Sequence, residues 1–359
     1  MSGALINLVS SGVQNAFLET SNLKNSLFRN RFARITNFAQ AASLLPIIGS
    51  ITQGGTSTIE ILKKGDLING MWIETTDAHT ILSGTVFELH IGGKLVDSQT
   101  VDYCADIWQI YLAETASKSS AVNNATSASD PTFFPFHFFF CDNKRFLPLV
   151  NLQYQTAEII VKWGPNVTAT TDIKCFGNFV YLDTQEREQL THKRMDIMIT
   201  QVQKIESTDT ESFDLSSFNH PVKTLFWGYP AKTEDITIDY LTFDGAKLQL
   251  NGSDLTIYMT PTYYHTVQSY YATNNALINL IQPQNCPFYT RYYMQSFAVN
   301  STDFNTTGTC NFSRLDSVNL RINNLQKAPA RAADNIVIYA LCYNVLRFQS
   351  GLAGILFSD

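Results

Sequence analysis

The chain has 359 residues, more than one hydrophobic core usually serves, so two domains of roughly 180 residues are expected. Only 16% of residues are charged while 12% are aromatic, which points to less water-facing surface than usual, through broad subunit contacts or one large core. The net charge of -6 argues against direct, sequence-specific nucleic-acid binding; the basic groups Lys63-Lys64, Lys144-Arg145 and His192-Lys193-Arg194 read as solvated turns and strand ends.

In chain order, Met1 to Val9 carries neither a basic leader nor a long apolar stretch, so no secretory signal is expected. Residues 1–40 read as an N-terminal arm: Gly3 to Phe17 is weakly amphipathic, and Asn22 to Ala39 carries Arg29, Arg31 and Arg34 without helical period. An ordinary first helix and strand is the alternative. Strands are expected over Thr58–Lys63, Leu67–Glu74 and Thr85–Ile91, the last joined through Gly92-Gly93 to Lys94–Asp97 as a hairpin. Ile107, Ile110, Tyr111 and Leu112 predict a short helix between Asp106 and Ser117, followed by a polar loop to Asp130. Phe133–Phe140 is the densest apolar run, far short of the roughly 18 residues of a membrane helix, and reads as a buried strand. Further strands are expected at Phe146–Asn151, Gln155–Trp163 and Lys174–Leu182. Asp183–Glu188 reads as a helix start, its acids acting as caps.

The second half is expected to begin with a strand at Met195–Ile205 and a polar connection, Ser207–Ser217. Strands then fall at Val222–Trp227, Ile236–Phe243, Lys247–Leu250, Tyr289–Val299, Val318–Ile322 and Asn335–Phe348, with an apolar end at Gly351–Phe357 packed in a sheet. Many short strands with only scraps of helix make an all-β protein of two tandem β-sandwiches, 41–205 and 206–359, without a visible internal sequence repeat.

No chemistry stands out. There is no Gly-x-Ser-x-Gly elbow, P-loop or dinucleotide glycine fingerprint, and the six histidines are solitary. Asp77-x-His79 offers two ligands and no site, and carboxylates such as Glu158 or Asp239 cannot be paired from sequence. Six scattered cysteines (Cys104, Cys141, Cys175, Cys286, Cys310, Cys342) form no C-x-x-C pair and read as free thiols of a reducing compartment. The sequons at Asn124, Asn166, Asn251, Asn300, Asn305 and Asn311 are about as many as chance supplies. No catalytic residue, cofactor or metal is expected.

Ordered segments carry a resemblance. They are Gly3–Val9 through Gly12–Asn15, Arg31–Ala39, Tyr181–Arg187, Asn219–Trp227, Gly308–Asp316 and Tyr339–Arg347 running on through Ser350–Gly354. Together they resemble the major capsid proteins of nucleocytoplasmic large DNA viruses, the irido-, phyco- and mimivirus-like group. The resemblance implies a double jelly roll, each roll an eight-stranded sandwich. It also implies a homotrimer whose six walls make a pseudo-hexagonal capsomer for an icosahedral shell. Implied partners are neighbouring trimers, minor capsid and penton proteins, and an inner membrane or its proteins through the N-terminal arm. The implied location is the virion, assembled in the host cytoplasm. The chain is short for the family, so a low-relief outer face is expected. A minor capsid paralogue and a carbohydrate-binding or carbohydrate-cleaving sandwich are the alternatives.

Within that resemblance Gly308 is expected to permit a backbone conformation that a side chain would obstruct. Arg314 and Asp316 are expected on one strand face, and His220-Pro221 restricts entry to a strand of the second roll. The pairs Tyr263-Tyr264, Tyr270-Tyr271 and Tyr292-Tyr293 read as half-buried sandwich positions, with an adhesive patch as the alternative.

Overall fold

The computed structural model describes residues 12–17, 20, 22, 26, 28, 34–75, 82–122, 131–141, 145–168, 172–229, 240–274 and 292–357. The chain divides into two units, Met1–Asn37 and Phe38–Asp359. In the first, Val13–Phe17 makes one 3-10 turn with no buried residue, and Asn15 Oδ1 accepts from Gly12 N at 2.9 Å. Gly3–Val9, Arg29 and Arg31 lie outside the described residues; Arg34 is exposed.

The second unit starts with β1 (Phe38–Leu45), whose first residues, Phe38 to Gln40, fall in the 1–40 span read as an arm. There follow β2 (Ile47–Gly49), β3 (Thr56–Ile61), β4 (Leu67–Thr75), β5 (Val86–Ile91), β6 (Lys94–Thr100), β7 (Thr132–Pro135), β8 (Leu147–Pro148), β9 (Ala157–Lys162) and β10 (Ile173–Leu182). One sheet runs β1-β10-β4-β7 with β8 beside β4, and the other runs β2-β3-β9-β5-β6. Period-2 patterning sets the faces: Ile59, Ile61, Phe87, Leu89 and Ile91 point into the core, while Glu60, Glu88 and His90 alternate outward. Gly92 and Gly93, at φ +60 and +75, form the doubly left-handed turn that matches strand twist.

The second half comprises β11 (Met195–Ser207), β12 (Ser212–Asp214), β13 (Pro221–Gly228), β14 (Leu241–Thr242), β15 (Gly245–Leu250), β16 (Ser253–Asp254), β17 (Tyr292–Ser296), β18 (Cys310–Asn311), β19 (Val318–Asn323), β20 (Gln326–Lys327), β21 (Ile336–Gln349) and β22 (Leu352–Ile355). Its sheets run β11-β21-β13-β17 and β12-β19-β15-β16. With the short pieces β2, β8, β14, β18, β20 and β22 set aside, each half pairs its strands in chain order as 1-8-3-6 in one sheet and 2-7-4-5 in the other. That is the jelly-roll path, traced twice. The duplication invisible as a sequence repeat is therefore plain as topology.

Strand β11 pairs along its length with β21, from Met195↔Phe348 to Ser207↔Ile336, so the position 205/206 falls inside a strand of the second roll. The chain passes between rolls through the helix Thr184–His192, whose N-cap Asp183 accepts from Thr184 N at 2.8 Å.

Other departures have local causes. The expected loop after Ser117 begins with a helix, Ala116–Ala121, because Thr115 Oγ1 accepts from Lys118 N at 3.2 Å; residues 123–130 lie outside the described ones. Of the Phe133–Phe140 run only Phe133–Pro135 pairs as a strand, and Pro135 has no N–H to extend the ladder. Phe136, Phe138 and Phe140 then stack in series inside the core, at 5.9 and 6.3 Å. The helix expected from Asp106 begins earlier and spans Tyr103–Leu112 with π-type pairing, Ala113 N bonding Trp108 O. Phe146–Asn151 pairs only as β8 before a 3-10 turn, Leu149–Asn151. The polar Ser207–Ser217 stretch holds β12, and of Ile236–Phe243 the described part contributes β14.

Candidate functional site: the seam between the rolls

Among the described residues no three His, Cys, Asp or Glu side chains gather as a metal site. Glu158 stands in register between Glu60 and His90 across three strands, a row on the outward side of its sheet. Asp77, His79 and Asp239 lie outside the described residues. What the fold does build is an extensive seam between its two rolls.

Strand β21 is buried on both faces. Ile336, Ile338, Ala340 and Cys342 belong to the second roll's own core, whereas Val337, Tyr339 and Leu341 join the first roll's core cluster. This double burial explains its near-continuous apolar sequence. Neighbouring Phe226 on β13 and Met294 on β17 continue the face, in register with Tyr339 and with each other. Across it lies Tyr103–Leu112. Tyr103 packs on Tyr339 at 5.4 Å, Tyr111 packs on Phe226 at 5.7 Å, and the Tyr111 hydroxyl donates to Tyr292 O at 2.8 Å. Thr100 Oγ1 and the Tyr339 hydroxyl share a hydrogen bond of 3.0 Å. These hydroxyls give the seam orientation as well as area.

At one edge of the seam Asp97, on β6, accepts from Val202 N on β11 at 2.9 Å, from Gln99 Nε2 at 2.7 Å and from Ser98 N at 3.0 Å. Burial nevertheless pushes its carboxyl up to about 7, with the three hydrogen bonds opposing. At the other edge Lys223 is 2% exposed, donates to the carbonyl of Asp303 and lies 5.6 Å over the Tyr343 ring. Burial pushes that ammonium down to about 8. His137 lies flat on Trp108 with centroids 3.6 Å apart, and desolvation holds it neutral, down to about 3.

Three of the segments singled out from sequence, Asn219–Trp227, Gly308–Asp316 and Tyr339–Arg347, meet in the second roll. His220 N donates to Ser313 Oγ at 2.7 Å, Phe312 N donates to His220 O at 3.0 Å, and Pro221 pairs with Asn311. His220 adopts φ +68, a left-handed backbone rather than the extended one that the following proline favours. Gly308 adopts φ +136, and a Cβ there would meet Phe297 O at 2.7 Å, so only glycine fits without movement. Arg314 and Asp316 do not share a strand face: Asn311 caps a 3-10 turn, Phe312–Arg314, so Arg314 ends the turn and Asp316 follows it, both exposed. Asn344 Nδ2 donates to Gln201 Oε1 at 2.9 Å and to Phe357 O at 2.8 Å, fastening the end of the described chain onto β21. Arg347 grips Asp196 with two bonds, at 2.8 and 3.0 Å, and Arg187 reaches Asp66 at 2.8 Å.

The tyrosine pairs separate. Tyr264, Tyr292 and Tyr293 are core, at 1%, 0% and 4% exposure, whereas Tyr270 and Tyr271 stand out at 54% and 77%. No pattern of tyrosines alone could have told these apart.

Two family models match: "Major capsid protein N-terminus" over residues 26–212 and "Large eukaryotic DNA virus major capsid protein" over residues 186–354. The major capsid protein of Pyramimonas orientalis virus is 27% identical over 409 aligned positions, and that of Paramecium bursaria Chlorella virus 1 is 26% identical over 449; both alignments cover 100% of each chain. The PBCV-1 VP54 structure superposes with a TM-score of 0.77 at 22% identity, over 93% of this chain and 100% of that one. The Faustovirus major capsid protein follows the same fold, with a TM-score of 0.66 at 9% identity, over 90% and 93%. These relatives are structural shell proteins rather than enzymes. The chain belongs to the major capsid proteins of large eukaryotic DNA viruses, with their double jelly-roll fold.

Proposed function

We propose that three copies associate into a pseudo-hexagonal capsomer, and that these capsomers tile the icosahedral shell of a large double-stranded DNA virus. The observation that carries this reading is the repeated strand path: two rolls of one topology, side by side in one chain, supply six similar walls to three copies. A six-walled object suits six-coordinated lattice positions. In the same reading, neighbouring trimers and minor and penton proteins meet its rim, and the arm that precedes β1 reaches inner proteins or a membrane. The two rolls, joined through Thr184–His192, are the two walls of each copy, and assembly takes place in the host cytoplasm. A low-relief outer face accords with the 449-position alignment to the Chlorella virus protein, against 359 residues here.

Size-exclusion chromatography with light scattering tests the association. A species of three times the 40.3 kDa chain mass is expected, and a monomer at micromolar concentration overturns the reading. Imaging of purified particles tests the tiling and the relief: long towers on the outward end would refute the flat face.

A further inference from the structure

The two rolls present the same sheet outward under different cover. In the second roll, the row Tyr339–Phe226–Met294 runs in register across β21, β13 and β17 and is fully buried by the first roll. In the first roll, the matching strands carry Leu44, Phe176, Trp72 and Pro135 directly opposite one another across β1, β10, β4 and β7. Phe176 and Trp72 stack at 5.7 Å, yet within the described unit this apolar row is only half covered, and Leu44 at its edge is 53% exposed. An apolar stripe across a whole sheet marks an interaction surface.

The covering element is repeated too. Tyr103–Leu112 connects β6 to β7, and the helical turns Tyr263–Val267 and Gln268–Ala272 connect β16 to β17 at the same point of the roll. Tyr103, Ile107, Ile110 and Tyr111 are buried, from 0% to 6% exposed. Tyr263, Val267, Tyr270 and Tyr271 have the same spacing, one helix face, and the last three are 37%, 54% and 77% exposed. We infer that the Tyr263–Ala272 segment of one copy lies across the Leu44–Phe176–Trp72–Pro135 face of a second copy. It repeats between chains the contact that Tyr103–Leu112 makes within one. The inference rests on the trimeric reading and gives it a contact: helix face to sheet face, head to tail, closing when the third copy returns to the first.

The test uses the full-length chain with Tyr271→Glu, which spoils the helix face, and Trp72→Glu, which spoils the sheet face. Leu44→Glu serves as a second sheet-face variant at an exposed edge. A wild-type circular dichroism spectrum and a single cooperative melt establish that each variant is folded, its midpoint falling with the lost association. Each variant alone is expected to run as a monomer. An equimolar mixture of a helix-face and a sheet-face variant keeps one intact pairing and is expected to give a dimer, twice the 40.3 kDa chain mass, and nothing larger. Folded variants that still form trimers, or a mixture that stays monomeric, overturn the assigned surfaces while a trimeric wild type stands. A monomeric wild type instead overturns the trimeric reading itself. If deleting residues 2–25 breaks the trimer and Tyr271→Glu does not, the arm occupies the sheet face and the inference fails.

Discussion

Asp97 Oδ1 receives the backbone N–H of Val202 at 2.9 Å, tying the edge strand of one roll's sheet to the edge strand of the other's. The acceptor is a buried carboxyl, 3% exposed, where ionisation is opposed by desolvation. Its folded value of about 7 lies above the ordinary 3.8, so the folded state holds the proton more tightly than the unfolded one. Stability from this group is complete below about pH 4 and is lost as pH rises to about 7, on the order of 4 kcal/mol in all. Asp97→Asn keeps an oxygen for Val202 and removes the charge. Urea unfolding at pH 5 and pH 8 should show a smaller pH difference in Asp97→Asn than in wild type; equal differences would rule out the assignment.

Gly308→Ala should destabilise the chain by about 1–3 kcal/mol, because φ +136 is costly for alanine and the new methyl meets Phe297 O. Gly354→Ala, with no atom near the added carbon, is the control and should leave the urea midpoint unchanged.

Tyr111→Phe removes the hydrogen bond to Tyr292 O across the seam and leaves the ring on Phe226. A loss of about 1 kcal/mol is expected from denaturant titration, and more if the carbonyl stays dry.

Cys104, Cys175 and Cys342 are buried, and burial raises the thiols of Cys104 and Cys175. Among the described cysteines, alkylation of the folded protein at pH 8 should reach Cys141 and Cys310 first, as read by peptide mass mapping. Rapid modification of Cys104 in the native state would contradict this burial.

Deletion of residues 2–25 should leave trimers intact on light scattering while abolishing shell assembly in electron micrographs. Unchanged assembly would remove the arm from the assembly reading.

Local grammar was legible where it is strong. Gly92-Gly93 announces a hairpin through the positive φ values it adopts, and Asp183 announces a helix start. Strand β1 was not legible: Phe-Ala-Gln-Ala-Ala lacks β-branched residues and alternation, and its register comes from pairing with β10, far along the chain. Arg314 and Asp316 were misread because spacing of two means a shared face only on a strand, and Asn311 turns the chain first. The seam was illegible altogether. Asp97 and Val202 are 105 positions apart, and nothing local marks Asp97 as a buried acceptor rather than a solvated turn acid.

The short helical passage through Thr184–His192 has a kinetic consequence. Because one polypeptide carries both sides of the seam, that contact forms at an effective concentration fixed by the tether, and dilution cannot dissolve it. Roll-to-roll contacts of the Tyr111–Phe226 kind are thus settled during folding of each chain. In a three-copy ring only the remaining contacts depend on how many chains the infected cell has made.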